Sequence, residues 1–183
     1  MKEFAKREDC VSHLASALEL GRDSPWQGEL IDAFADACRV DAREERPSFD
    51  FRLARWVIRD EDLNLFGAVK DGMTALASVQ YVFADLTASG ITSVGLAVCM
   101  LLRNAYRKGA TVSSTQAALL AILKDRGPSS ASEIASAGSS AGNAWTEQQV
   151  RAELTALTKV ATKNDTVAFV AEDANGKWSL RGV

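Results

Sequence analysis

Cys10-Val-Ser-His13 places the chain's one histidine a helical turn from a thiol, the pairing that a nucleophilic cysteine needs. Such a dyad also requires an oxyanion donor, which a glycine-rich turn commonly supplies, and none stands beside it. A zinc site would have to draw four ligands from Cys10, His13, Cys38 and Cys99, of which a single pair is close in sequence. No Walker loop, GxGxxG or HExxH occurs. The expectation is a non-enzyme with no catalytic residue, no metal and no cofactor.

Two other groups of side chains suit recognition. Arg52, Arg55 and Arg59 fall at i, i+3 and i+7, which on a helix stacks three guanidiniums on one face. Guanidinium forks grip carboxylates or phosphates bidentately, so this face suits an acidic partner. The plainer reading pairs them with Asp50, Asp60, Glu61 and Asp62. The second group lies on a helix starting at Thr146, where Val150, Leu154 and Leu157 face inward. That leaves Gln148, Gln149, Arg151, Thr155 and Lys159 toward solvent, with Lys163, Lys177 and Arg181 on the following segment. Gln and Arg can bond base edges, and the lysines phosphates. Glu147, Glu153, Glu172 and Asp173 on the same elements would repel phosphates, and a solvated face without a ligand is the alternative.

These groups need elements to position them. Residues 2 to 20 carry Phe4, Val11, Leu14 and Leu18 on one helical stripe, with Gly21 as the stop. Ser24-Pro25-Trp26-Gln27 supplies an N-cap, a proline at the first helical position and a capping-box glutamine, ahead of Leu30, Phe34 and Cys38. After a polar connector at 41–47, residues 48 to 59 look helical, with Phe49, Leu53, Trp56 and Val57 on one side. Asp60 to Asp62 opens a short segment through Val69. A helix follows from about Gly72 to Leu86, and Ser89-Gly90 breaks the chain before another from about Thr92 to Lys108. Gly109 ends that last one behind Arg103, Arg107 and Lys108.

From Ser113 onward the local signals are stronger. A first helix opens at Ser113/Ser114 with Ala118, Leu119 and Ile122. Ser130-Ala-Ser-Glu133 and Thr146-Glu-Gln-Gln149 are capping boxes that open two more. Val167 to Ala171 and Trp178 to Leu180 alternate as strands around Asn175-Gly176, the dipeptide favoured in a type I′ turn. Three helices followed by a hairpin resemble the winged-helix superfamily over about residues 113–181. The linker Gly138–Asn143 is longer than the tight turn of a DNA-reading helix-turn-helix. The tryptophans at 26, 56, 145 and 178 read as packing residues, with Trp145, in an exposed loop, the candidate exception.

The expected fold is therefore mainly α: an N-terminal helical region over 1–109, then a winged-helix module over 110–183. The resemblance implies binding of DNA, RNA or protein. The net charge is −3, and from Gly109 onward seven cations meet seven anions, which disfavours nucleic acid. The leading expectation is a protein partner or a second copy of the chain. A DNA-binding regulator with an N-terminal dimerisation or sensing region is the alternative. Three widely spaced cysteines, odd in number and without a CxxC, suggest reduced thiols and a cytoplasmic setting. The apolar run from Val79 to Leu102 is broken by polar residues, so no membrane span is expected, and the charged first nine residues do not read as a signal peptide.

Overall fold

In a computed structural model, residues 1–21, 24–40, 55–77, 88–140 and 143–181 are described. The chain is mainly α, with seven helices and three small sheets among the described residues. It opens with a three-residue strand β1 (Lys2–Phe4) rather than a helix, and α1 (Arg7–Ala17) follows, burying Cys10 and Leu14. The helix stops before Gly21. Leu20 N–H reaches back to Ala15 O (3.0 Å), and Glu19 takes the left-handed position at φ 52°. That is a Schellman-type end in which glycine is the usual occupant, and a buried Leu20 accompanies it.

Helix α2 (Pro25–Ala37) has its proline in the first turn as expected, and buries Leu30, Ile31, Phe34 and Ala35. Its capping box does not form. Gln27 Oε1 instead accepts from Gly21 N–H at 2.8 Å and ties the preceding loop to the helix. Strands β2 (Arg39–Val40) and β3 (Arg55–Ile58) then complete a sheet in the order β1-β3-β2, antiparallel throughout. Residues 55 to 58 are thus extended, not helical, because β3 is held from both sides: Phe4 and Arg39 both pair with Trp56. The expected helical positions 48 to 54, Arg52 included, lie outside the described residues.

Helix α3 (Asp60–Ala77) is continuous where a break near Gly72 was expected. Its buried residues Asp62, Leu65, Phe66, Val69, Met73 and Leu76 form one stripe at helical spacing. Phe66 stacks on Phe34 with centroids 4.2 Å apart, an aromatic pair worth about 0.5–1.5 kcal/mol beyond its burial. Helix α4 (Ala88–Arg107) begins earlier than Thr92 and runs through Ser89-Gly90. Its end is as expected, with Gly109 left-handed at φ 89°.

Helix α5 (Ser114–Arg126) is buried on all sides from Ala117 to Leu123, and packs against α3, α4 and the elements that follow it. Its own capping box, between Ser113 and Gln116, adds to those expected at Ser130 and Thr146. Strand β4 (Ser129–Ser130) precedes α6 (Ala131–Ser140), where Ser130 and Glu133 bond reciprocally, and α7 (Glu147–Leu157) opens with the Thr146–Gln149 box. The expected strand 167 to 171 divides in two. Thr166–Val167 (β6) turns back onto Val160–Ala161 (β5), whereas Val170–Glu172 (β7) pairs with Lys177–Leu180 (β8). Between β6 and β7, Phe169 is fully buried. Its N–H donates to Leu157 O and its carbonyl accepts from Arg181 N–H, both at 2.9 Å. The second sheet has the order β4-β8-β7.

The hairpin turns at Asn175-Gly176, but not as type I′, which needs both central residues at positive φ. Gly176 alone is left-handed there, at φ 74°. Gly176 N–H bonds Asp173 O (3.1 Å) and Asp173 N–H bonds Lys177 O (2.8 Å), the form of a type I turn closed by a left-handed glycine. Asp173 Oδ1 stabilises this loop by accepting from the N–H groups of Asn175 and Lys177. One apolar core runs from Cys10 on α1 to Trp178 on β8, with α5 at its centre.

Candidate functional site

On α7 the residues expected to read a partner are unequally available. Gln149 Oε1 accepts from Thr146 N–H (2.9 Å), so the capping box occupies it. Arg151 is bonded to Glu172 on β7 (Nη1–Oε1, 3.1 Å) and lies 3.6 Å from Glu147. Thr155 Oγ1 donates to the Arg151 carbonyl one turn back. Gln148, Lys159, Lys163, Lys177 and Arg181 are exposed. Lys163 N–H donates to Lys108 O (2.8 Å), which fastens the loop between β5 and β6 to the end of α4. Trp145 is half-buried, its ring pressed against Gly138 of α6, so it packs like the other three tryptophans. Beside it a groove of about 240 Å³ is lined by Thr115, Leu119, Gln149, Val150 and Glu153.

The arginine face does not form as expected. Arg55 points from β3 to Glu3 on β1 (3.1 Å), and Arg59 follows the strand. Residues 55–58 are extended rather than helical and Arg59 lies just past them, so the stacking of i, i+3 and i+7 on one helix face does not arise. Arg59 meets different partners. Its N–H donates to Asp62 Oδ2 (3.3 Å), while Arg103 of α4 binds Asp62 Oδ1 through Nε (3.2 Å) and donates from Nη1 to Ala37 O. Asp62 is 2% exposed. The sequence presents Asp62 as a helix-terminal acid and gives no local sign of its pairing with Arg103. The available signal was its position: 62 lies on the same stripe as Leu65, Phe66 and Val69, so a charge there must meet a cation.

On α1 the Cys10 thiol is buried and the His13 imidazole half-buried. Burial pushes the Cys10 thiol up to about 11 and Cys38 to about 12, and holds Cys99 well above the ordinary value. A nucleophilic cysteine needs the opposite shift. The His13 ring packs on Phe4 with centroids 5.3 Å apart, and its buried Nε2 has no hydrogen-bond partner. Among the described residues no group of three His, Cys, Asp or Glu side chains could hold a metal ion, and no helix is long and apolar enough to cross a membrane.

His13 makes stability depend on pH. Burial, with a smaller contribution from Lys2, holds its imidazole below the ordinary 6.5. The unfolded chain therefore binds more protons at this site. Stability is full above pH 6.5 and is lost as pH falls from there toward the lower folded value. Urea denaturation at pH 7.5 and pH 5.5 should show a smaller acid loss for His13→Gln than for the native chain, with partner binding unchanged in the variant. Equal losses would mean that His13 titrates as it does in water.

Compared with family models, with curated proteins and with solved structures, the chain matches none.

Proposed function

We propose that the chain is a non-enzymatic binding protein that holds a protein partner, or a second copy of itself, on its helical surfaces and on a C-terminal module of winged-helix form. The run α5–α6–α7 followed by the β7–β8 hairpin supports the module, since it is the order on which the resemblance rests. One observation carries the choice of protein over DNA. The two α7 side chains best suited to base edges are already bonded, Gln149 to Thr146 and Arg151 to Glu172. A guanidinium must break an ion pair before it can grip guanine, and the carboxylates it would release repel phosphates. The free, buried thiols at 10, 38 and 99 accord with a reducing, cytoplasmic setting.

The test is a titration with random duplex DNA at low salt, together with the mass in solution against the 19.6 kDa of one chain. Affinity for DNA should be feeble, since few unpaired cations are available to displace counterions. Changing Lys159, Lys163, Lys177 and Arg181 together to glutamate should leave partner binding or self-association largely intact. A steeply salt-dependent association with duplex DNA, abolished by those four changes, would establish the regulator instead.

A further inference from the structure

The groove beside Trp145 is built from fixed parts. The ring already fills the space that a Cβ on Gly138 would take, so it cannot move toward α6. Trp145 N–H donates to Asn143 O (2.8 Å) and Asn143 N–H to Gly138 O (3.0 Å), which ties this segment back to the end of α6. The floor is Leu119 of α5 and Val150 of α7, both buried, and Thr115, Gln149 and Glu153 form the polar sides. At about 240 Å³ the space is smaller than the roughly 300–1,000 Å³ of pockets that enclose a small molecule. It suits one side chain of a protein.

Glu153 is the charged residue of this lining. It is half-buried, and its Oε2 accepts from Gln116 Nε2 of α5 at 2.9 Å, an uncharged donor. Among the described residues no cation is paired with it, and Arg151, two positions away, is held by Glu172 and Glu147. The undescribed residues between α6 and α7 are Ala141 and Gly142, which carry no charge. A carboxylate accepts at about four lone-pair sites, so one donor leaves most of its capacity unused. Gln149 adds no acceptor, since its Oε1 is committed to Thr146 N–H (2.9 Å), whereas the Thr115 hydroxyl can accept.

An indole, a carboxylate and a hydroxyl around a space for one side chain match a guanidinium. Its plane lies against the ring while its N–H groups reach the oxygens. Lysine has the charge without the plane. The first turns of α5 and α7 are positive helix ends and oppose a cation, but such an end changes affinity roughly two- to fivefold. A hydrogen bond to a charged group changes it roughly tenfold or more, so the carboxylate decides the sign. We propose that this groove receives an arginine side chain of a second protein, its guanidinium against the Trp145 indole and bonded to Glu153. The site rests on the protein-binding reading and gives the partner's chemistry at one point of the surface.

Nitrogen-15 correlation spectra of the full chain test this through the Trp145 indole N–H, assigned by its loss in Trp145→Phe. The probes are acetyl-Ala-Arg-Ala-amide and its lysine, citrulline and glutamate counterparts, citrulline keeping the shape of arginine without the charge. The arginine peptide should shift the indole signal saturably at millimolar concentration, with the lysine peptide weaker and the citrulline peptide about tenfold weaker or more. Glu153→Gln should weaken the arginine peptide by a similar factor, and it keeps the fold because the new amide oxygen still accepts from Gln116. No saturable shift, lysine or citrulline binding as tightly as arginine, or undiminished binding in Glu153→Gln overturns the site. Tighter binding of the glutamate peptide overturns it in favour of the helix ends. The mass in solution, measured on the same samples, should not change in Glu153→Gln. A fall from dimer to monomer there would make the occupant a second copy of the chain and overturn the assignment to a different protein. Self-association that persists while no peptide binds would end the arginine site and leave the wider partner reading standing.

Discussion

Replacing Arg103 with methionine is expected to destabilise the fold by about 3–5 kcal/mol, the usual consequence of leaving a buried charge without its partner. Asp62 is 2% exposed at its side chain and Arg103 16%, so water cannot take over the lost contact. The Ala37 carbonyl loses its donor in the same substitution. For a chain of this size that is roughly a 10 °C fall in melting temperature. Replacing both partners, with Asp62→Leu and Arg103→Met, should recover much of the loss, because the carboxylate is then no longer stranded among Leu65, Phe66 and Cys38. The recovery will be incomplete, since Arg59 N–H and Ala37 O still lack partners. Urea denaturation of the native chain, both single variants and the double variant gives the coupling directly. A single Arg103→Met variant within 1 kcal/mol of native would mean that the pair is hydrated rather than buried.

What could be read from the sequence was what short-range chemistry decides. Ser130 with Glu133 and Thr146 with Gln149 specify helix starts through bonds three residues long, and both form. The end of α4 at Gly109 is likewise local. Residues 55–58 show where this stops. Their apolar spacing fits a helix or a strand about equally, and the choice is made by β1 and β2, which pair from 52 and 17 residues away at Trp56. Gln27 has the correct spacing for a capping box, yet Gly21 N–H competes for its oxygen and wins. Asn175-Gly176 turns as expected at the level of the hairpin, while Asp173 selects the turn type by bonding two N–H groups of the loop.

The candidate sites follow the same division. The exposed face of α7 is a matter of periodicity and was legible, but the bond from Arg151 to Glu172 spans 21 residues and was not. The pairing of Asp62 with Arg103 depends on α3 packing against α4, across more than forty residues. No local pattern encodes it. The sequence spacing places Arg55 and Arg59 on a helix face, whereas residues 55–58 run as a strand.

Gly67 and Gly72 carry that lesson into a measurement, since both sit inside α3 and nothing local distinguishes them. A Cβ on Gly67 would meet nothing closer than Leu18 Cδ2 at 3.9 Å. A Cβ on Gly72 would lie 2.7 Å from Ser114 O and 3.0 Å from Ala118 N, both backbone atoms of α5. The first turn of α5 cannot retreat easily, because the Ser113–Gln116 capping box fixes it and Ala117 and Ala118 are buried behind it. Gly67→Ala should therefore be neutral or stabilise by up to about 1 kcal/mol, the difference in helix propensity. Gly72→Ala gains the same propensity but forces the two helices apart, for a net loss of about 1–3 kcal/mol. Gly72→Val should lose more, since a branched side chain widens the same clash. Thermal melts of the three variants beside the native chain read the contrast. Equal effects of alanine at 67 and 72 would show that α3 and α5 do not cross in close backbone contact, and the central place of α5 in the core would go with it.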